Sequence, residues 1–240
     1  MLGVLKRQCR VLWQDWVFWG AGLIPGMGIF GFVLYQILFV IIEDVGAYVP
    51  LGTILAAFMA VLFAGTLVIT QLGQYFNIEV SMGCIRKHFF LSYLMCTVAA
   101  CLAGWVCVLL VCAAENALHG WMYPMQEVRV EILPYLLRWG VPVMILVVSG
   151  ALLCGTLLIR FGRWMRIVLL TVWIVLCLGF PQVMNAVEDA PNSIFGQIGG
   201  FFADLAETIP AGIWGLAGIA FVTMSLVISY LILRKQQVTA

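Results

Sequence analysis

Charge is what this chain has least of. Only 10% of its 240 residues are Asp, Glu, Lys or Arg, and it has two histidines. Hydrophobic residues make up 64%, a share that a water-soluble domain of this size does not carry. No G-x-x-x-x-G-K-[ST] phosphate loop occurs, so the chain holds no motif for hydrolysing ATP by itself. There is no H-E-x-x-H zinc motif. His88 and His119 fall outside the long apolar runs, in loops on this reading. That leaves no histidine at membrane depth for intramembrane proteolysis or for haem. The eight cysteines, Cys9, Cys84, Cys96, Cys101, Cys107, Cys112, Cys154 and Cys177, contain no C-x-x-C pair. They read as small apolar residues rather than as a redox or zinc site. No catalytic, cofactor-binding or metal residue is inferred, and the expectation is not an enzyme. Met1–Trp19 mixes charge with tryptophan where a cleavable signal needs a short apolar core.

What is abundant is apolar sequence in long blocks. A hydrocarbon core of about 30 Å needs about 20 apolar residues of helix. In lipid every backbone group must be satisfied internally, which leaves helices or closed barrels. The runs here are continuous, without the alternation of a barrel strand. They predict an all-α, polytopic membrane protein, a single transmembrane domain over residues 1–240. Six spans can be drawn: Phe18–Ile42, Leu51–Leu72, Leu91–Ala114, Leu133–Ile159, Ile167–Val187 and Ala211–Leu233. No ionisable residue is evident deep within them. Gln36 and Gln71 are the strongest polar positions, which disfavours an ion-driven carrier.

The connecting segments alternate in charge. Lys6, Arg7, Arg10, Arg86, Lys87, Arg160, Arg163, Arg166, Arg234 and Lys235, ten of the twelve basic residues, fall on one side. Glu43, Asp44, Glu115, Glu127, Glu131, Glu188, Asp189, Asp204 and Glu207 fall on the other. Basic residues of short loops stay cytoplasmic, so both termini are expected inside, in the plasma membrane. Trp13, Trp16, Trp19, Trp121, Trp139 and Trp164 lie near span ends, where amphipathic rings anchor a helix.

Two further stretches are amphipathic. Over residues 1–17, Leu5, Cys9, Leu12, Trp13 and Trp16 share one helical face, opposite Lys6, Arg7, Arg10 and Gln14. That pattern predicts a helix lying on the inner leaflet. Over 191–210, Ile194, Phe195, Ile198, Phe201, Phe202, Leu205 and Ile209 form a second stripe between Pro191 and Pro210. It reads as an outer interfacial helix.

The most informative polar stretch is Gln74–Phe90. Tyr75, Ile78, Met82 and Ile85 recur with helical spacing, Gly83 stands where a helix turns, and Arg86-Lys87 precede Phe89-Phe90 at the start of the third run. The string Phe76-x-x-Glu79-x-x-x-Gly83-x-x-Arg86-Lys87-x-Phe89-Phe90 resembles the cytosolic coupling segment of type-2 ABC exporter permeases. In that family this segment docks into an ATPase carried on another chain. The resemblance makes Tyr75, Ile78, Glu79, Met82, Gly83, Arg86 and Lys87 the ATPase-binding residues, with Glu79 answering a basic partner residue or Arg86. It makes 1–17 an elbow helix and 191–210 similar to a re-entrant helix.

The resemblance also implies partners. Two permeases pair around one pathway, and ATP and Mg²⁺ reside on soluble ATPase subunits. The cargo is amphipathic: a peptide, lipid or drug. Lipid is the surrounding medium, and no nucleic acid is involved. Gly22-x-x-x-Gly26 is a candidate for close packing in such a dimer, and Gly212-x-x-Gly215-x-x-Gly218 a weaker one. The alternative expectation is a membrane scaffold or assembly factor that moves nothing.

Overall fold

A computed structural model describes residues 2–41, 48–81, 84–123, 131–189, 197, 199–201, 204, 208 and 210–235. Six long helices account for nearly all of them: α1 (Leu2–Ile41), α2 (Leu51–Ser81), α3 (Arg86–Met122), α4 (Leu133–Phe161), α5 (Arg163–Asp189) and α6 (Ala211–Lys235). Four of these, α2, α3, α4 and α6, are long and apolar enough to cross a membrane, as a polytopic membrane protein requires. Helices α1 and α5 occupy the ranges of the first and fifth sequence runs, and α1 carries a shorter apolar stretch over Gly22–Leu38.

The helices are longer than the apolar runs that announce them. Helix α2 has 31 residues and α3 has 37. At 1.5 Å per residue these measure roughly 46 and 55 Å, well beyond a hydrocarbon core of about 30 Å. Three sequence expectations change as a result. The elbow over 1–17 is not a separate element, because α1 runs unbroken for 40 residues. Within its first half, Gln8 and Trp16 are buried at 4% and 8% exposure, while Lys6, Cys9, Arg10 and Trp13 are exposed. Of the segment Gln74–Phe90, residues 74–81 are the C-terminal end of α2 and 86–90 the first turns of α3, so its described part belongs to two long helices. His88 and His119, assigned to loops, both lie within α3. The outer amphipathic stretch 191–210 falls mostly outside the described residues.

Helix α2 is the centre of the bundle, packed against α1, α3 and α4, while α4 also contacts α3, α5 and α6. Among the described residues α5 touches α4 alone. The face of α2 that makes this possible is a strict four-residue repeat: Ala56, Ala60, Ala64, Val68, Leu72 and Phe76, all at most 2% exposed. Three alanines at the start of the stripe let neighbouring backbones approach closely, which is how helices gain contact in lipid. Larger residues fill the wider space near Leu72 and Phe76, where Phe89 stands edge-on to Phe76 and stacks on Tyr93.

Backbone meets backbone between α1 and the first turn of α2. A Cβ placed on Gly31 would lie 2.7 Å from the Gly52 Cα, and one on Gly28 would lie 2.5 Å from a Val111 methyl. Between α3 and α4, a Cβ on Gly140 would fall inside the Trp105 indole. By contrast, Cβ atoms on Gly22, Gly26, Gly212 and Gly215 would meet none of the described residues within 4 Å. Gly218, the third glycine of the weaker motif, would place its Cβ 3.9 Å from a Leu146 methyl, an ordinary contact, so the tight approaches are made by glycines outside the spaced motifs.

Candidate functional site

Antiparallel order places the end of α1, the start of α2 and the end of α3 together at one end, the acidic one. The end of α2, the start of α3, the α4–α5 corner and the end of α6 lie at the other, the basic one. At the acidic end, a buried polar cluster forms where α1 ends, α2 begins and α3 continues past its apolar run. Its centre is Glu115, 3% exposed. The carboxylate accepts the Gly52 N–H at 2.9 Å, the Thr53 N–H at 2.6 Å and the Thr53 hydroxyl at 2.6 Å. A side chain of α3 thus caps the N-terminus of α2. This answers the donors that a helix leaves unpaired in its first turn and places a negative charge at the positive end of the dipole. Charge-assisted bonds of this kind are the strong ones. They are what permits a carboxylate to be buried here at all.

Aromatic rings close over the carboxylate. Tyr48, in the segment before α2 and 1% exposed, stacks on His119 with centroids 3.6 Å apart and stands edge-on to Tyr35 at 4.9 Å. His119, with no exposed surface, also faces Tyr123 at 5.3 Å, and the Tyr123 hydroxyl donates to Gln36 Oε1 at 2.6 Å. Burial, and then the nearby Glu115 charge, hold the Tyr48 hydroxyl above its ordinary range, so it stays a neutral phenol. A groove of about 360 Å³ opens beside Glu115, lined by Pro25, Phe32 and Leu110 among others.

The sequence reading missed this cluster because the third apolar run stops at Ala114. The signal was present in another form. Cys101, Trp105, Val108, Cys112, Glu115 and His119 are all buried and are spaced 4, 3, 4, 3 and 4 apart. One helical face continues straight through the polar residues.

At the basic end stand the residues assigned to ATPase docking. Ile78 is 51% and Ile85 64% exposed, Lys87 is exposed, and Tyr75 and Arg86 are half-buried. Glu79 points inward at 5% exposure, a position that suits the local of its two expected roles, toward Arg86, better than display to a partner. The spacing rule placed Tyr75, Ile78 and Ile85 on one stripe, but Phe76 and Glu79 lie on the face that α2 buries. Met82 and Gly83 lie outside the described residues. The Cys84 N–H donates to the Glu79 carbonyl at 3.0 Å, closing the end of α2. Arg86 reaches across to α6 and donates to the Arg234 carbonyl at 2.7 Å, answering a helix C-terminus with a cation. Beside this junction, a cleft of about 490 Å³ separates α2 from the α4–α5 corner, with Gln74, Asn77, Gly162 and Arg166 on its walls. Gly162 turns that corner with φ of 58°, a conformation that glycine adopts without strain.

No metal-binding group of three His, Cys, Asp or Glu side chains occurs among the described residues. Comparison with protein-family models, curated proteins and solved structures finds no match to this chain.

Proposed function

We propose that the chain is the membrane-spanning permease subunit of an ABC-type exporter. It pairs with a second permease and with separate ATPase subunits that carry ATP and Mg²⁺, in the plasma membrane with both termini cytoplasmic. The cargo is an amphipathic peptide, lipid or drug, by analogy with the family that the 74–90 segment resembles. The observation that supports this reading best is the α2–α3 junction. Both helices outrun the hydrocarbon core, and they meet at the basic end with Ile78, Ile85 and Lys87 exposed. Apolar side chains displayed beyond the membrane, next to a cation and on two stiff helices, suit transmission of force from a soluble partner. Glu79, turned inward, takes the local one of its two expected roles, at the end of α2, and leaves the ATPase contact to the exposed residues.

The experiment is co-purification with a soluble ATPase encoded by a neighbouring gene. Ile78→Asp and Ile85→Asp should each lower the ATPase recovered per permease while membrane abundance stays near wild type, because neither residue is buried. Normal recovery with both variants would overturn the docking assignment. Failure of the wild-type chain to retain any such ATPase would leave the scaffold reading as the better account. Gly22 and Gly26, exposed and with no described neighbour within 4 Å of their Cβ positions, remain the proposed seam for a second permease.

A further inference from the structure

Cysteines 87 positions apart in sequence meet where α1 packs on α3. Cys9 Sγ lies 2.6 Å from Cys96 Sγ, inside van der Waals contact and not far above the S–S bond of about 2.05 Å in a formed disulfide. The register that aligns them is held by an adjacent buried bond. Ser92 donates to the Gln8 side-chain oxygen, with Ser92 0% and Gln8 4% exposed. Gln8 directly precedes Cys9, and Ser92 lies one helical turn before Cys96. The two thiols also differ in access: Cys9 is exposed, whereas Cys96 is 7% exposed and covered by α1.

We propose that Cys9 and Cys96 form an oxidation-sensitive dithiol that closes into a disulfide and ties the N-terminal half of α1 to α3. The co-reactant is a small-molecule disulfide. The exposed Cys9 thiolate attacks one sulfur of that molecule and expels the other as a thiolate, giving a mixed disulfide on Cys9. The Cys96 thiolate then attacks Cys9 Sγ and expels the second small thiolate, which leaves the Cys9–Cys96 bond. Two protein thiols are oxidised, one external disulfide is reduced to two thiols, and the two protons leave with those thiols. Access sets the order: Cys9 meets the reagent, and Cys96 can resolve only onto Cys9. The pair has the arrangement that exchange needs, one thiol reachable and a resolving thiol held beside it. The inference is independent of the transport reading.

The test uses the full chain in native membranes, with oxidised glutathione as the reagent, maleimide to trap remaining thiols, and peptide mass spectrometry without reduction. The expected product is a single intramolecular peptide pair joining Cys9 to Cys96, reversed by dithiothreitol. C96S should stop at the glutathione adduct on Cys9, and C9S should leave Cys96 unmodified. C9S/R10C moves the reachable thiol one residue round the helix, and it should form the bridge at least about tenfold more slowly, since proximity and alignment are lost. Cys9 still alkylated in full after oxidation would overturn the proposal. A bridge from Cys9 to another cysteine or to a second chain would do the same. Equal bridging in C9S/R10C would show that mobility of the segment, and not a built pair, brings the sulfurs together.

Discussion

Replacing Glu115 tests whether a buried carboxylate can stabilise a membrane helix bundle by capping a neighbouring helix. In Glu115→Ala the Gly52 and Thr53 N–H groups, both buried, lose their acceptor. An orphaned buried donor costs about 1–3 kcal/mol, and the lost charge at the helix N-terminus adds about 0.5–1 kcal/mol. The Thr53 hydroxyl can rotate to another acceptor and adds little. The sum is about 4 kcal/mol, which for a chain of this length lowers the melting temperature by roughly 8–16 °C. Glu115→Gln keeps one acceptor oxygen for Thr53 but turns an amide N–H₂ toward the Gly52 N–H, so it should lose about 2 kcal/mol, by the same per-bond cost. Thr53→Val removes one hydroxyl donor and should lose about 1 kcal/mol. The assay is thermal unfolding of the detergent-purified chain followed by size-exclusion recovery. The expected order of loss is Ala, then Gln, then Val. A competing effect exists, because desolvating a carboxylate costs several kcal/mol and an uncharged replacement sometimes stabilises a core. If Glu115→Gln melts above wild type, desolvation outweighs the three hydrogen bonds and the capping argument fails.

Two further outcomes follow from the same end of the bundle. The Tyr48 hydroxyl is held above its unfolded value near 10 by burial and by Glu115. The folded state therefore keeps the proton after the unfolded state has begun to lose it, and stability from this group falls as pH rises above about 10. Unfolding curves from pH 8 to 11 should show a steeper alkaline decline for wild type than for Tyr48→Phe; parallel curves would remove Tyr48 from the account. Gly31→Ala forces a methyl against the backbone of Gly52 and should cost about 2–3 kcal/mol by overpacking. Gly26→Ala meets open space and should leave the monomer unchanged, so equal melting of the two variants would refute the close α1–α2 approach.

How much of this was legible beforehand depends on which physical rule speaks at each position. Length and apolarity of the runs announced α2, α3, α4 and α6, because lipid leaves a chain few other options. Helix ends were poorly legible. The runs stop where the hydrocarbon would stop, whereas backbone hydrogen bonding carries α2 to Ser81 and α3 to Met122. That mismatch hid Glu115 and His119, which sat one and five residues past an apolar boundary and were read as loop. Among glycines, the motif spacing of Gly22 and Gly26 was visible, yet contact is made by Gly28, Gly31 and Gly52. Spacing along one helix cannot say which neighbour crosses it or where. The Cys9–Cys96 contact was illegible for the same reason, since it depends on the register of two helices far apart in sequence.

The α1–α2 approach has a mechanical consequence. At the acidic end, backbone lies on backbone at Gly31 and Gly52, and the Glu115 carboxylate bolts a third helix to the same point. A groove of about 360 Å³ lies beside that point, and clefts of about 490 and 270 Å³ lie at the basic end, where backbone does not meet backbone in this way. A bundle fastened backbone to backbone at one end bends about that fastening, as a cantilever does. A lateral load on the α2–α3 tip, some 46 Å of helix away from the clamp, produces its largest displacement at the tip and almost none at Glu115. The clamp then serves as a fulcrum, and the compliance of the molecule is graded along its long axis.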